Sequence, residues 1–190
     1  MNNYKYTKNW FLNSEIKRYI LNYIDINKQN NILEIGCYEG LSSVYFADNL
    51  LNNNESTLTC VDPFMKLENN DHKELLKNGE EQRFDFNINN CNNKDKIYVN
   101  KITSDKFFET NNKYFNFIYI DGCHEPEFII RDMKNSFKYL MNGGIMWMDD
   151  YYGGDGIKIR NTMNNFLKEY DGKYIIIHMG YQLAIKKYIN

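Results

Sequence analysis

The sequence has little of several features that would place it in a specialised class. Its 23 basic and 25 acidic residues leave a formal charge of −2, and the basic residues are scattered along the chain. A cationic surface for nucleic acid or for an anionic membrane is therefore not predicted. No stretch approaches the roughly 20 apolar residues of a membrane span, and the opening MNNYKYTKNW has no apolar signal-peptide core. We expect a cytoplasmic protein with a small-molecule partner.

Cysteine is also sparse and dispersed. Cys37, Cys60, Cys91 and Cys123 form no C-x-x-C pair and have no histidine at zinc-site spacing. Neither a zinc site nor a redox pair is indicated, and Cys37 and Cys60 are expected to be buried free thiols. This use of cysteine fits a reducing compartment.

What the chain does contain is an alternation of short apolar runs with segments of helical periodicity. In 190 residues of 43% hydrophobic content, this pattern predicts an α/β fold with helices on both faces of a sheet. We expect a single domain over residues 1–190, with residues 1–29 as an N-terminal helical extension and residues 64–94 as a lid or loop insertion that carries a short helix. Only Gly180 separates the last two strands, so they should pair antiparallel at the sheet edge. The predicted strands are Asn31–Ile35, Thr57–Val61, Lys96–Asn100, Phe115–Ile120, Ile145–Met148, Tyr174–Met179 and Tyr181–Lys186; the predicted helices are Ser14–Asn27, a helix opening at Leu41, Glu125–Leu140 and Asp155–Tyr170.

The segment ILEIGCYEGLSS combines a strand, a turn with two glycines and the start of a helix. Gly36 and Gly40 allow the backbone to fold sharply and a ligand to approach it closely. Ser42 and Ser43 open the helix, whose first N–H groups attract an anionic group. Together with Glu34 on the strand, these residues are the candidate cofactor-binding turn.

The spacing of this turn separates two cofactor classes. Asp62 ends the second strand, where a carboxylate can accept hydrogen bonds from both hydroxyls of a ribose. The turn is not G-x-G-x-x-G, however, because Tyr38 stands between Gly36 and Gly40. A dinucleotide needs close backbone approach for its pyrophosphate, whereas S-adenosylmethionine presents only an α-carboxylate and an amine. The spacing, with Tyr38 and Asp62 as further binding candidates, favours the methyl donor over NAD.

Three carboxylates follow two strands that a doubly wound sheet places side by side. Asp121 ends the fourth strand, and Asp149 and Asp150 end the fifth. Adjacent strands are about 4.8 Å apart, so these acids should converge at the cofactor crevice. Unpaired burial of like charges costs several kcal/mol, on the order of one ion's desolvation penalty, so either protons or a cation must lie among them. Oxygen ligands suit Mg²⁺, and Mn²⁺ less selectively. His124 is close enough to share deprotonation of an acceptor, which makes His124 and Asp121 the catalytic candidates, with Asp121 also beside the cofactor.

These segments, with FIYIDGCHEPEFIIRDMKNSFKYLMNGGIMWMDDY and GIKIRNTMNNFLKEY, resemble a class I S-adenosylmethionine-dependent methyltransferase over about residues 30–187. More narrowly, they resemble the metal-dependent O-methyltransferases that act on sugars of macrolide and aminocoumarin antibiotics. The resemblance implies a doubly wound, Rossmann-like seven-stranded sheet of order 3-2-1-4-5-7-6 with the last strand antiparallel. It also implies Mg²⁺ at Asp121, Asp149 and Asp150. His124 becomes the better candidate base, because Cys123 stands where an aspartate serves in some relatives.

The resemblance predicts an S-adenosylmethionine- and Mg²⁺-dependent O-methyltransferase acting on a hydroxyl of a sugar or nucleotide-sugar. A catechol-type acceptor stays open, because the same acids would serve any vicinal diol. From other classes, an NAD(P)-dependent oxidoreductase is disfavoured by the glycine spacing, and a non-catalytic adenosyl-binding module is disfavoured by the acid cluster. Tyr4, Tyr6, Trp10 and Phe11 could pack across a homodimer or cover the acceptor site.

Overall fold

Seven strands form one sheet in the computed structural model, which describes residues 3–64, 79–153 and 156–188. The strands are β1 (Asn31–Ile35), β2 (Thr57–Val61), β3 (Ile97–Asn100), β4 (Phe115–Ile120), β5 (Leu140–Met148), β6 (Tyr174–Met179) and β7 (Leu183–Lys187). Their order is β3-β2-β1-β4-β5-β7-β6. Strands β1 to β5 run parallel, and β7 lies antiparallel to both β5 and β6. The predicted order and the antiparallel last strand are confirmed.

Helices cover both faces of this sheet. In the described ranges they are α1 (Glu15–Tyr19), α2 (Leu41–Leu50), α3 (Glu80–Asn89), α4 (Ser104–Thr110), α5 (Pro126–Tyr139) and α6 (Gly156–Glu169), with 3-10 turns at Trp10–Asn13, Ile20–Asn22 and Lys94–Lys96. Within those ranges, none of the helices has the length and apolar character needed to cross a bilayer.

The apolar side chains of the strands alternate between two core clusters. Ile32 of β1 packs on one face, against α2 and the N-terminal segment. Leu33 packs on the other face, against α5 and α6. Because side chains along a strand alternate in direction, a strand that is apolar at every position is covered on both faces. This two-sided burial explains why the short apolar runs predicted the strands correctly.

The predicted helix Ser14–Asn27 is wrong in its extent. Ser14 caps α1 by accepting a hydrogen bond from Lys17 N at 3.3 Å, but the α-helix ends at Tyr19 and one 3-10 turn follows. Beyond it, Asp25 accepts a hydrogen bond from Asn27 N, a local turn that competes with helix. The spacing of Ile16, Ile20 and Ile24 still predicted burial correctly, since all three are in the core.

Other boundaries differ where the sequence signal is weak. Strand β5 begins at Leu140, five residues before the predicted start, because Leu140 already pairs with Phe115 of β4; the exposed residues 141–143 lie in an irregularity before pairing resumes at Ile145. Strand β7 begins at Leu183, since Gly180 N bonds to Gln182 O and closes a turn there. Helix α4 was not predicted. Of the predicted lid, residues 65–78 lie outside the described residues, and α3 occupies much of the remainder.

Candidate active site

One cleft of about 670 Å³ opens at the carboxyl ends of the central strands. This volume is within the roughly 300 to 1,000 Å³ of small-molecule sites, and its position is the usual ligand crevice of an open α/β sheet. Five of the predicted cofactor-binding residues line it, namely Gly36, Tyr38, Ser42, Asp62 and Asp121. The structure therefore brings the glycine turn and the carboxylates into one space.

The glycine turn approaches the end of β4 too closely for any side chain. Gly36 has φ +85°, and a Cβ placed on it would lie 2.0 Å from the carbonyl oxygen of Asp121. Gly40 also has positive φ, at +78°, and precedes the first residue of α2. Tyr38, between them, has φ +49°, which is uncommon for a residue with a side chain. The sharp turn brings Gly36, Cys37 and Tyr38 to the wall of the cleft.

Asp62 stabilises the turn from the neighbouring strand. Its Oδ2 accepts hydrogen bonds from Cys37 N at 2.8 Å and Tyr38 N at 3.0 Å, and its Oδ1 accepts from Phe64 N at 2.8 Å. Burial raises the pKa of Asp62. Oδ2 already accepts two hydrogen bonds, but Oδ1 has a second lone pair, so one ribose hydroxyl can still donate to Asp62. Asp62 therefore has a structural role in holding the turn, and its contact with a ribose stays a prediction.

Glu34 and Ser43 lie behind the turn rather than in the cleft. Glu34 is fully buried and accepts hydrogen bonds from the hydroxyls of Ser42 and Ser43, the latter at 2.5 Å. Burial raises the pKa of Glu34 to about 7. The carboxyl group joins β1 to the first turn of α2. Gly40, like Glu34 and Ser43, is not among the residues lining the cleft, so any effect of these three on a cofactor would be indirect.

A single tyrosine hydroxyl lies between the carboxylates of two strands. Tyr119 is fully buried, and its Oη is 3.1 Å from Asp121 Oδ2 and 3.0 Å from Asp149 Oδ2. The hydroxyl has one proton, so it can donate to only one of these oxygens at a time. Burial, together with the charges of Asp121 and Asp150, raises the pKa of Asp149 to about 8. Without a cation, the cluster must retain a proton to limit the repulsion between its carboxylates, and a bound cation would replace that proton.

Asp150 and His124 form the outer part of the cluster. His124 Nε2 is 3.0 Å from Asp150 Oδ2 and 4.0 Å from Asp121 Oδ1. Tyr181 Oη donates to the other oxygen of Asp150 at 2.6 Å, and Asp150 has φ +59°. Contacts with Asp121 and Asp150 raise the pKa of His124.

The residues best placed to share one ion differ in part from the predicted trio. Asp121, His124 and Asp150 each offer an atom within 4.8 Å of the others. Asp149 lies beside them, with Oδ1 accepting from Gln182 Nε2 at 2.9 Å and from Asp150 N at 2.9 Å. Its ligand role stays a prediction.

The N-terminal segment supplies residues of the cleft wall, among them Trp10 and Phe11, for which covering the acceptor site was one of two predicted roles. Glu39 is buried and accepts from Thr7 Oγ1 at 2.6 Å and Arg83 Nε at 2.6 Å, which ties this segment to α3. Trp10 then lies with its ring centroid 5.2 Å from that of Tyr38 at the cleft. Thr103, Ser104 and Asp105 also line the cleft, and their signal in the sequence was a helix-capping pattern shortly after β3.

Comparisons with known proteins agree with this geometry. A family model described as "Methyltransferase domain" matches residues 33–151. A search of curated protein sequences finds no significant match. A Clostridium thermocellum protein provisionally assigned as an rRNA methylase is similar in structure, with TM-score 0.70 and 16% identity over 92% of this chain and 94% of that one.

Two further structures are O-methyltransferases. One, from Bacillus cereus in complex with S-adenosylhomocysteine, has TM-score 0.63 and 15% identity over 90% of this chain and 79% of that one. The other, from Streptomyces achromogenes, is involved in tomaymycin synthesis and was solved with S-adenosylmethionine; its TM-score is 0.65, with 11% identity over 92% and 78% of the two chains. At such identities the likeness establishes the fold alone. The family match spans more than half of the chain, and the chain therefore belongs to this methyltransferase-domain family, as an S-adenosylmethionine-dependent enzyme of the class I fold.

Proposed function

We propose that the protein is a divalent-cation-dependent O-methyltransferase that acts on a hydroxyl of a small polyhydroxy acceptor, with an uncharged sugar preferred. The observation that carries this proposal is the acid cluster of Asp121, Asp149 and Asp150, which borders the same cleft as the glycine turn. A purely structural cluster would have no need to lie at the cofactor crevice. Mg²⁺, or Mn²⁺, suits its oxygen donors, and a bound cation would supply charge neutralisation and orientation of an acceptor hydroxyl.

The protein's own side chains would position the acceptor and accept its proton. His124 can receive a proton at Nε2 once its contact with Asp150 is exchanged for the acceptor hydroxyl. To act as a base it must be neutral, and the adjacent carboxylates raise its pKa. A cation held by those carboxylates would oppose that shift. Direct transfer between two molecules held in one cleft needs no covalent enzyme intermediate, because orientation supplies much of the rate enhancement.

Charge favours an uncharged acceptor over a nucleotide-sugar. Among the described residues, the cleft wall includes nine carboxyl side chains, and Lys8 is its one lysine or arginine. Residues 65–78 add no net charge, since their three lysines are matched by three acids: Lys66, Lys73 and Lys77 against Glu68, Asp71 and Glu74. A diphosphate would be repelled by such a wall unless a cation bound it. A catechol remains the second candidate, because the acid cluster would serve its vicinal hydroxyls equally.

The test is a screen for transfer of an isotopically labelled methyl group. The protein would be incubated with labelled S-adenosylmethionine and methyl glycosides, nucleotide-sugars or catechols, with Mg²⁺ or with EDTA, and the products read by mass spectrometry. We expect a labelled ether on a methyl glycoside or a catechol, and none with EDTA. An Asp149→Ala variant should lose the product but still bind S-adenosylhomocysteine.

Two outcomes would contradict the proposal. Transfer that persists in EDTA and in Asp149→Ala would remove the cation from the reaction. Transfer to nucleotide-sugars alone would overturn the charge argument for the acceptor, while leaving O-methyl transfer intact.

A further inference from the structure

The start of helix α1 reaches the acid cluster through one buried glutamine. Gln182 is fully buried in the turn before β7. Its Oε1 accepts hydrogen bonds from Ile16 N at 2.7 Å and Trp147 Nε1 at 3.0 Å, and its Nε2 donates to Asp149 Oδ1 at 2.9 Å. Its backbone N–H donates to Glu15 Oε2 at 2.8 Å. Gln182 therefore connects three separate segments of the chain.

These partners leave the amide of Gln182 only one orientation. A backbone N–H and an indole N–H can only donate, so the oxygen of the amide must face Ile16 and Trp147. The amide nitrogen is then turned toward Asp149, where it must donate. A flipped amide would set donors against donors on one side and an acceptor against a carboxylate on the other. The N–H groups of Ile16 and Trp147 thus force Gln182 to hold Asp149.

The same contacts limit the freedom of the Asp149 carboxylate. Besides the hydrogen bond from Gln182, Asp149 Oδ1 accepts one from the backbone N–H of Asp150. Asp149 Oδ2 lies within hydrogen-bonding distance of Tyr119 Oη. With both oxygens engaged, the side chain cannot rotate away from its neighbours. Partners behind a ligand set are known to orient it and to change metal affinity about 10- to 100-fold.

We propose that Gln182 is the positioning residue of the acid cluster, which makes the start of helix α1 and the cation site one hydrogen-bonded unit. This inference rests on the proposed cation-dependent function. The amide of Gln182 acts on the cluster through Asp149. Docking of Ile16 on Gln182 and ordering of Asp149 are consequently coupled, so the start of helix α1 contributes to cation binding.

The test compares cation binding in matched variants of the full chain. Gln182→Met keeps the length of the side chain but removes both hydrogen-bonding groups, and Gln182→Asn withdraws the amide by about 1.5 Å, one C–C bond. The control, Asn87→Leu, also removes a buried amide that fastens the N-terminal segment, since Asn87 binds Lys5 N, Lys5 O and Glu39 O. Mn²⁺ affinity would be measured by electron paramagnetic resonance, S-adenosylhomocysteine affinity by calorimetry and the melting temperature in EDTA.

We expect both Gln182 variants to bind Mn²⁺ roughly 10-fold or more weakly, in the range known for residues behind metal ligands. S-adenosylhomocysteine affinity should change by less than about twofold, because the partners described for Gln182 lie outside the glycine turn of Gly36 to Gly40. Asn87→Leu should lower the melting temperature and leave Mn²⁺ affinity unchanged.

Each other outcome overturns a distinct claim. If the parent protein binds Mn²⁺ and both Gln182 variants bind it equally well, the positioning role is wrong and the proposed function stands. If Asn87→Leu weakens Mn²⁺ binding as much as they do, the effect is general destabilisation and the positioning role is again wrong. If the parent protein binds no Mn²⁺, the cation site itself fails, and the role of Gln182 fails with it.

Discussion

Replacing Asp149 by asparagine should stabilise the cation-free protein while removing its cation site. In the parent protein, the single proton of Tyr119 Oη serves both Asp121 and Asp149. In Asp149→Asn, the amide oxygen can accept from Gln182 and from Asp150 N, as Oδ1 now does. The amide nitrogen can then donate to Tyr119, whose own proton is left for Asp121. In the variant, each of these contacts therefore pairs one donor with one acceptor.

The size of the effect follows from the raised pKa. An unfolded aspartate has a pKa of about 3.9, whereas burial raises the pKa of Asp149 in the folded chain to about 8. Between these values the folded state holds a proton that the unfolded state has released, so the stability of the parent protein falls as pH rises from about 4 to 8. At about 1.36 kcal/mol per unit of pKa, the upper limit at pH 8 is about 5 kcal/mol. Because repulsion between Asp121 and Asp150 persists in the variant, we expect a gain of about 2 kcal/mol.

The assay is urea unfolding in EDTA at pH 4.5 and pH 8. The variant should exceed the parent protein in free energy of unfolding by about 2 kcal/mol at pH 8 and by less than about 1 kcal/mol at pH 4.5. Asp25→Asn, an identical change at an exposed acid, controls for net charge and should show little pH dependence. Added Mn²⁺ should stabilise only proteins that retain Asp149. A variant no more stable than the parent protein at pH 8 would refute the proton-shortage argument.

Two further predictions concern the cofactor turn and the candidate base. Gly36→Ala places a Cβ 2.0 Å from the Asp121 carbonyl oxygen, so calorimetry should detect no S-adenosylhomocysteine binding. The control Gly172→Ala, at φ +77° with open space around it, should bind S-adenosylhomocysteine normally. Normal binding by Gly36→Ala would show that the turn does not position the cofactor. His124→Ala should lower the rate constant of methyl transfer in single-turnover assays by roughly 10²- to 10⁴-fold, the range for a lost general base, without weakening cofactor binding. An unchanged rate constant would exclude His124 as the base.

Local patterns were sufficient to predict most of the strands and the positions of the acids that follow them, whereas the order of the strands was implied by the family resemblance. Strands β1, β2, β4 and β6 begin and end at the predicted residues, because each is a short apolar run bounded by polar or glycine residues. Asp62, Asp121 and Asp149 follow directly from strand ends, and parallel strands bring their carboxyl ends to one edge. The irregular helix before β1 and helix α4 were harder to predict from the sequence, since short helices depend on tertiary packing more than on their own sequence.

The side-chain contacts that make the cluster a site were decided by the fold alone. In the sequence Tyr119 is one aromatic residue of an apolar strand, and nothing local indicates that its hydroxyl would reach both Asp121 and Asp149. Gln182 is 33 residues from Asp149 and 166 from Ile16, yet it binds both. Periodicity determines which face of an element is buried, because it reflects the geometry of a single strand or helix. Which polar atoms meet depends on distant segments packing together, and only the tertiary structure specifies that.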